Sequence, residues 1–142
     1  MKSRLIPMCV MVALSLSLLA CSPASRLASL EVSCDDFYEQ NHISRAVEVA
    51  AGDSFTVTLC SNPTTGFSWS EQAQIGDQTL LQQTGHEFIS PGEKGLLGAA
   101  GEEVWTLKAL KKGEATVSME YSRPWEGGEK GTWTFNLTVV VK

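Results

Sequence analysis

Strict alternation of apolar and polar residues, repeated in separate parts of the chain, is the feature that most restricts its fold. The segments "DSFTVTLC", "EATVSMEY" and "TWTFNLTVVVK" each place apolar residues at every second position. Those positions are Phe55, Val57 and Leu59, then Ala115, Val117, Met119 and Tyr121, then Trp133, Phe135, Leu137, Val139 and Val141. A period of two, rich in β-branched and aromatic residues, is typical of half-buried antiparallel strands. No segment carries a long helical period, so we predict an all-β domain.

Turn residues separate seven segments with strand character, and there is room for a short eighth strand near 30–35. The seven segments are 44–50, 54–60, 67–71, 79–89, 103–110, 115–121 and 132–141. Seven to eight short strands in one domain predict an immunoglobulin-like antiparallel β-sandwich. Trp69, Trp105 and Trp133 fall inside strand patterns, so we expect these three side chains in the core.

The first twenty residues predict a targeting signal that is not part of the fold. Two basic residues precede an apolar run that is too short for a transmembrane helix. The junction "LLAC" resembles the lipobox of bacterial lipoproteins, in which Cys21 would become the acylated first residue; the alternative is an ordinary secretory signal cut nearby. Two or more acyl chains hold a protein stably on a bilayer. Ser22, where Asp would favour the inner membrane of a Gram-negative cell, favours an outer-membrane address in the cell envelope.

Removal of the lipoprotein signal peptide, 1–20, leaves a small polar tether, 21–29, and one domain, 30–142. The chain has a formal net charge of −5, and loss of Lys2 and Arg4 makes it more acidic. Such a balance argues against nucleic acid, or an anionic membrane surface, as the main partner. We expect a monomer without a cofactor.

Four cysteines are present, and two of them remain for the domain. Cys9 leaves with the signal and Cys21 is used for lipidation, so Cys34 and Cys60 are predicted to form a disulfide in an oxidising compartment. The bridge would close a loop of roughly 27 residues and contribute about 3.5 kcal/mol. By alternation Cys60 lies on the face opposite Leu59, so the bridge is expected to fasten the N-terminal segment to the sandwich without crossing its core.

The two histidines give no sign of a metal site or of catalysis. His42 and His86 have no ligand spacing relative to the cysteines, so no metal is predicted. Neither histidine stands in a recognisable nucleophile–base motif, which argues against an enzyme.

Long and short connections alternate along the chain, and this predicts a binding surface at one end. In an antiparallel sandwich every second connection emerges at the same end. The long loops 61–66, 90–102 and 122–131 therefore share one end, while the tight turns 51–53 and 111–113 lie at the other. Loops on a rigid scaffold commonly carry function, so we expect the long-loop end to bind a partner.

The first long loop, "NPTTG", has a composition that favours a stiff backbone. Pro63 fixes its own φ and pushes Asn62 toward extended geometry. Thr64 and Thr65 are restricted at χ1, and Gly66 is suited to a positive φ. Such a loop loses little freedom on binding. The alternative is a tight turn that only joins two strands.

The other two loops add bare backbone and one large aromatic residue. "SPGEKGLLGAAGE" has four glycines but no phosphate-binding motif; its Leu96 and Leu97 are either exposed contacts or a small satellite core. "SRPWEGGEKG" carries Arg123, Pro124 and Trp125, and Trp and Arg are enriched at interface hot spots. The alternative for Trp125 is that it caps the end of the sandwich.

Three motifs in this order, "NPTTGF", "LLGAAGEEVWTLKA" and "YSRPW", resemble the chagasin family of cysteine-protease inhibitors over about 44–142. The family's middle motif is usually Gly-X-Gly-Gly. The matching residues here are Gly98, Ala99, Ala100 and Gly101, with Ala100 where glycine is usual.

The resemblance implies reversible, competitive inhibition of papain-like (clan CA) cysteine proteases by three loops that enter the active-site cleft. The first loop would lie nearest the catalytic cysteine, the Arg123–Trp125 loop on the primed side and the glycine loop on the non-primed side. The implied protease-binding residues are Asn62, Pro63, Thr64, Thr65, Gly66, Phe67, Leu97, Gly98, Ala99, Ala100, Gly101, Arg123, Pro124 and Trp125. The alternative function is a non-inhibitory, envelope-anchored protein-binding module that uses the same loop end.

Overall fold

Two β-sheets form the domain in the computed structural model, which describes residues 27–92 and 98–142. The strands are β1 (Ala28–Val32), β2 (His42–Val49), β3 (Ser54–Ser61), β4 (Ser68–Trp69), β5 (Gln74–Ile75), β6 (Leu81–Ile89), β7 (Gly101–Ala109), β8 (Gly113–Ser122) and β9 (Trp133–Val141). One sheet has the order β1-β3-β7-β6 and the other β2-β9-β8-β4, with β5 also pairing with β8. The prediction of an all-β, immunoglobulin-like sandwich is confirmed.

The alternation seen in the sequence is the inward and outward alternation of the strands. Every predicted apolar position of β3, β8 and β9 is buried, and Trp69, Trp105 and Trp133 are buried as expected. Hydrophobic burial of this kind supplies the main driving force for folding. The core therefore lies between the two sheets, where the period-two pattern predicts it.

Two strand pairings are parallel, which differs from an antiparallel arrangement throughout. β1 pairs with β3, and β2 pairs with β9, in parallel register. Parallel neighbours need a crossover connection. The chain meets this need by running β1 along one sheet and then crossing to the other sheet before β2 begins.

Several predicted boundaries change in the structure. The predicted strand 67–71 is reduced to the two residues of β4, and the segment 79–80 is a turn before β6. The extra strand expected near 30–35 is β1, which begins at Ala28, so 28–29 belong to a strand although we predicted them as tether. The signal 1–20, Cys21 and the remainder of the tether up to residue 26 lie outside the described residues.

A short helix that the sequence analysis missed, α1 (Cys34–Glu39), makes the crossover between the sheets. Ser33 and Asp36 form a capping box: the Ser33 side chain accepts from the Asp36 N–H, and the Asp36 carboxylate accepts from the Ser33 N–H and hydroxyl. These bonds hold the pKa of Asp36 below its ordinary value, and the bond from the Ser33 hydroxyl has the largest effect. On the inner side of α1, Phe37 is fully buried. Among the described residues, none of the helices has the length and apolarity needed to cross a membrane.

A disulfide joins α1 to β3 through Cys34 and Cys60, whose Cα atoms are 5.1 Å apart. That separation falls within the usual range for disulfides. Cys60 is only 4% exposed, although the alternation places it on the face opposite the core residue Leu59. Cys60 belongs to the buried core cluster, and Cys34 packs against it. The bridge fastens the N-terminal segment, through α1, to β3.

Removal of the bridge should destabilise the domain without changing its fold. We expect a Cys34→Ala, Cys60→Ala double variant to lose about 2–4 kcal/mol of unfolding free energy, because its unfolded chain is less restricted. Urea unfolding followed by tryptophan fluorescence measures this difference. Reductant should lower the stability of the wild type and leave the double variant unchanged; equal stability of the two proteins without reductant would contradict the prediction.

Candidate functional site

The long loops meet at one end of the sandwich, as predicted, and hydrogen bonds connect them. The side-chain amide of Asn62 donates to the carbonyl of Gly98 over 2.8 Å, which joins the first loop to the second. The Arg123 guanidinium donates to the carbonyl of Thr65 over 3.3 Å, which joins the third loop to the first. We call the surface formed by residues 62–66, 98–100 and 123–130 the loop end.

The first loop is a single, internally bonded turn. Pro63–Thr65 form one turn of 3₁₀-helix. The Asn62 side-chain oxygen accepts from the Thr64 N–H (3.3 Å) and the Thr64 hydroxyl (2.6 Å). The Thr65 hydroxyl donates back to the Asn62 carbonyl over 2.7 Å. The loop is therefore stiff because of its own hydrogen bonds as well as its restricted torsions.

A column of stacked rings supports this turn from below. Phe37 stacks on Trp133 (5.0 Å between centroids), Trp133 on Tyr121 (4.8 Å), and Tyr121 on Phe67 (5.4 Å). The Tyr121 hydroxyl accepts from the Asn62 N–H over 2.8 Å. Aromatic pairs of this kind stabilise beyond the area they bury. The predicted site residue Phe67 is thus a support within the column.

The third loop lies across the first. The Arg123 guanidinium sits over the Phe67 ring, 4.4 Å from its centroid. Trp125 is 52% exposed, and its ring covers Gly66: a Cβ at Gly66 would come within 2.6 Å of the Trp125 ring. Gly66 also has φ +80°, a region that L side chains rarely adopt. The Lys130 ammonium binds the carbonyl oxygens of Arg123 and Trp125 and closes the third loop.

The described part of the second loop continues the same surface. Gly98 and Ala100 are exposed, and Ala99 is half-buried. Ala100, where the resemblance expects glycine, keeps its φ out of the left-handed region, so alanine fits without strain. Gly101 begins β7, where an added Cβ would come within 2.3 Å of the Ile89 carbonyl oxygen. Leu96 and Leu97 lie outside the described residues.

A buried carboxylate holds both ends of the first loop. Glu103 is 5% exposed and lies on the inner face of β7. Its Oε1 accepts from the Ser61 hydroxyl (2.7 Å) before the loop and from the Trp69 N–H (3.4 Å) after it. Its Oε2 pairs with His86 Nε2 over 2.8 Å. Sequence reasoning missed this role, although a charged residue on the same alternating face as Trp105 was a usable signal.

The same cluster contains the residue types of a hydrolytic triad, but its order excludes that chemistry. In a Ser-His-Asp triad the imidazole lies between the hydroxyl and the carboxylate. Here Glu103 lies between Ser61 and His86, and Ser61 is fully buried. Within 27–92 and 98–142, no group of three or more His, Cys, Asp and Glu side chains is placed to hold a metal ion.

A concavity of about 720 Å³ lies away from the loop end. It follows β6 and the segment 71–78 and is rich in glutamine side chains. A smaller cavity of about 290 Å³ adjoins the first and third loops and includes Tyr38 of α1 in its wall. No part of the sequence analysis pointed to Tyr38, because its exposure depends on a helix that was not predicted.

The fold and the loop end together define a β-sandwich binding protein that presents a preformed surface. The chain belongs to the chagasin family of peptidase inhibitors (I42), whose family model matches residues 48–139, more than half of the sequence. As a member of this family it is a peptidase inhibitor and not an enzyme.

Known relatives agree with this assignment. Amoebiasin-2 of Entamoeba histolytica is 29% identical over 115 residues, covering 77% of this chain and 92% of that protein. Chagasin of Trypanosoma cruzi is 32% identical over 98 residues, covering 68% of this chain and 88% of that protein.

Solved structures share the fold. The cysteine protease inhibitor EhICP2 from Entamoeba histolytica superposes with a TM-score of 0.63 at 22% identity, covering 84% of this chain and 100% of that one. PbICP-C, solved in complex with falcipain-2, superposes with a TM-score of 0.60 at 16% identity, covering 81% of this chain and 99% of that one.

Loss of the buried carboxylate should destabilise the first loop and the fold together. We expect Glu103→Ala to lose about 3 kcal/mol of unfolding free energy, because Ser61, Trp69 and His86 then lose a buried partner. Glu103→Gln keeps the shape: its oxygen can accept from Ser61 and Trp69, and its amide can donate to His86 in the tautomer whose Nε2 accepts, so it should lose less than half as much. Urea denaturation compares the three proteins, and equal losses for the two variants would contradict the assigned hydrogen bonds.

Proposed function

We propose that the protein is a reversible, competitive inhibitor of papain-like (clan CA) cysteine proteases, and that its three loops fill the active-site cleft of the enzyme. The observation that carries the proposal is the direct bonding of the loops to one another, Asn62 to Gly98 and Arg123 to Thr65. Because the loops are bonded to one another, the surface can bind a partner without each loop being ordered separately.

Rigidity is the physical advantage of this surface. Ordering a flexible loop on binding costs free energy, and a preformed loop avoids most of that cost. The turn at Pro63–Thr65 is fixed by its own hydrogen bonds, and Trp125 is fixed over Gly66. Trp125 therefore presents an exposed aromatic contact of the kind that dominates interface energetics.

The same turn explains why the inhibitor would not be cut. A protease acts on a peptide that lies extended in its cleft with a free carbonyl. In the first loop the Asn62 carbonyl accepts from the Thr65 N–H over 3.2 Å, and the Pro63 carbonyl accepts from the Gly66 N–H over 2.9 Å. Both carbonyls are turned into the loop. The peptide bonds after Asn62 and after Pro63 are therefore not presented to the protease as a substrate's scissile bond is.

Membership of the chagasin family supports the choice of target. The fold neighbour EhICP2 is described as a cysteine protease inhibitor, and PbICP-C was solved in complex with falcipain-2. The implied contacts at Asn62–Phe67, Gly98–Gly101 and Arg123–Trp125 all belong to the described surface or its support; the implied contact at Leu97 lies outside it.

A variant of the loop end should lose inhibition while it keeps its fold. We expect Thr65→Ala combined with Trp125→Ala to raise the inhibition constant against papain by about 100-fold, because it removes an exposed aromatic contact and a hydrogen bond that stiffens the first loop. Steady-state kinetics with a peptide substrate measures this constant. For the wild type, the apparent KM should rise with inhibitor while kcat stays constant.

The matched control is Leu110→Ala, which removes an apolar side chain that is 41% exposed beside the turn at the opposite end. It should inhibit like the wild type. If the loop variant also inhibits like the wild type, the loops are not the inhibitory surface. If the wild type leaves papain and cathepsin-L-like enzymes fully active at micromolar concentration, a non-inhibitory binding module replaces the proposal.

We further propose that Cys21 carries a lipid anchor that holds a monomeric inhibitor in the cell envelope, at the outer membrane of a Gram-negative cell. The support is the sequence "LLAC" followed by Ser22. Acyl chains at this cysteine would leave the domain attached through a short polar tether.

Metabolic labelling tests the anchor. The full chain, expressed in a Gram-negative host with labelled palmitate, should incorporate label and fractionate with membranes. Cys21→Ala should lose both properties, whereas Cys9→Ala, within the predicted signal, should retain them. Label that survives in Cys21→Ala would contradict the assignment of this cysteine.

A further inference from the structure

We propose that α1 supplies a fourth contact with the protease: the cavity beside Tyr38 receives an apolar side chain of the bound enzyme. This inference rests on the proposed function, since it concerns the same interface. It adds a contact from a segment outside residues 48–139, the range matched by the family model.

The cavity is continuous with the loop end. Its volume of about 290 Å³ suits one large side chain, being below the range of small-molecule sites. Asn62, Thr65 and Arg123 contribute to its wall, and all three belong to the loop end. A protease seated on the loops would therefore cover the mouth of the cavity as well.

Aromatic rings make most of the remaining wall. Phe67, Tyr121 and Trp133 are three rings of the supporting column, and Tyr38 stands beside them with its ring edge-on to Trp133 at 5.6 Å. A wall of rings favours an apolar occupant, because removing aromatic surface from water lowers the free energy of the complex.

Tyr38 is held in place but remains open to solvent. Its neighbour Phe37 is fully buried against Trp133, and Cys34 ties the start of the same helix to β3. The Tyr38 side chain is nevertheless 71% exposed. A large aromatic side chain that is fixed in position and exposed is typical of an interface contact, and Tyr is enriched at binding hot spots.

The lining of the cavity is mainly apolar. Two of its polar side chains are already bonded within the protein: the Thr65 hydroxyl donates to the Asn62 carbonyl, and the Asn62 amide donates to the Gly98 carbonyl. Arg123 Nε and the Thr132 hydroxyl oxygen are shielded from solvent. An apolar group therefore meets mostly apolar surface in the cavity and loses no hydrogen bonds by entering it.

Inhibition constants of the full chain against papain test this contact. We expect Tyr38→Ala to raise the constant about 10-fold, the usual scale for loss of an interface aromatic. Tyr38→Phe keeps the ring and should inhibit like the wild type, as should the distant control Leu110→Ala. Melting temperatures of the two Tyr38 variants should match the wild type, because the Tyr38 side chain is exposed.

Tyr38→Phe separates an apolar occupant from a polar one. It keeps the ring and removes the hydroxyl of a side chain that is exposed to solvent, so an apolar occupant should bind as well as before. Weaker inhibition by Tyr38→Phe would mean that the occupant bonds to this hydroxyl, and would overturn the proposal of an apolar side chain.

The outcomes also separate this inference from the proposed function. If Tyr38→Ala inhibits like the wild type while the Thr65→Ala, Trp125→Ala variant does not, the fourth contact is wrong and the three-loop inhibitor stands. If the wild type does not inhibit any papain-like enzyme, both proposals fail. A crystal structure of the papain complex should show an apolar papain side chain against the Tyr38 ring; a solvent-filled cavity would overturn the inference.

Discussion

Tyr121 connects the core of the sandwich to the loops that project from it. Its ring lies between Trp133 and Phe67 in one column, and its hydroxyl accepts from the Asn62 N–H at the start of the first loop. Above Phe67 the guanidinium of Arg123 continues the column into the third loop. Because each member is packed against the next, the position of the loops is set by their packing on the aromatic residues of β8 and β9.

Glu103 makes a second connection, of a different physical kind. A buried carboxylate is unfavourable unless its oxygens are paired, so its bonds to Ser61, Trp69 and His86 are obligatory once the charge is inside. Such a group adds little net stability compared with a well-packed apolar residue. We attribute its presence to positioning. Glu103 fixes the distance between β3 and β4, the two strands that flank the first loop, and the ring column holds the start of that loop at Asn62.

Sequence reasoning was accurate where the signal is local and failed where it depends on packing. Val117, Met119 and their neighbours alternate strictly, and burial follows the alternation. The conformation of Gly66 and the stiffness of "NPTTG" are also local properties. The helix α1 has six residues, fewer than two turns, and so carries no period to detect. Its capping signal, Ser33 and Asp36, was present but is short enough to occur in many loops. The parallel pairing of β1 with β3 and of β2 with β9 was not predicted, because pairing direction is a property of the whole sheet.

The sequence by itself determined the longer strands, the end at which the long loops emerge, the inhibitor family and the cysteines available for a bridge, because periodicity, turn residues and motif order are local properties of the chain. Only the tertiary structure decided which groups meet: Asn62 with Gly98, Trp125 with Gly66, Glu103 with both ends of the first loop, and Tyr38 with the cavity beside them. These contacts join residues far apart in sequence, and their partners are fixed by the packing of two twisted sheets and one crossover helix. No local propensity encodes such a choice.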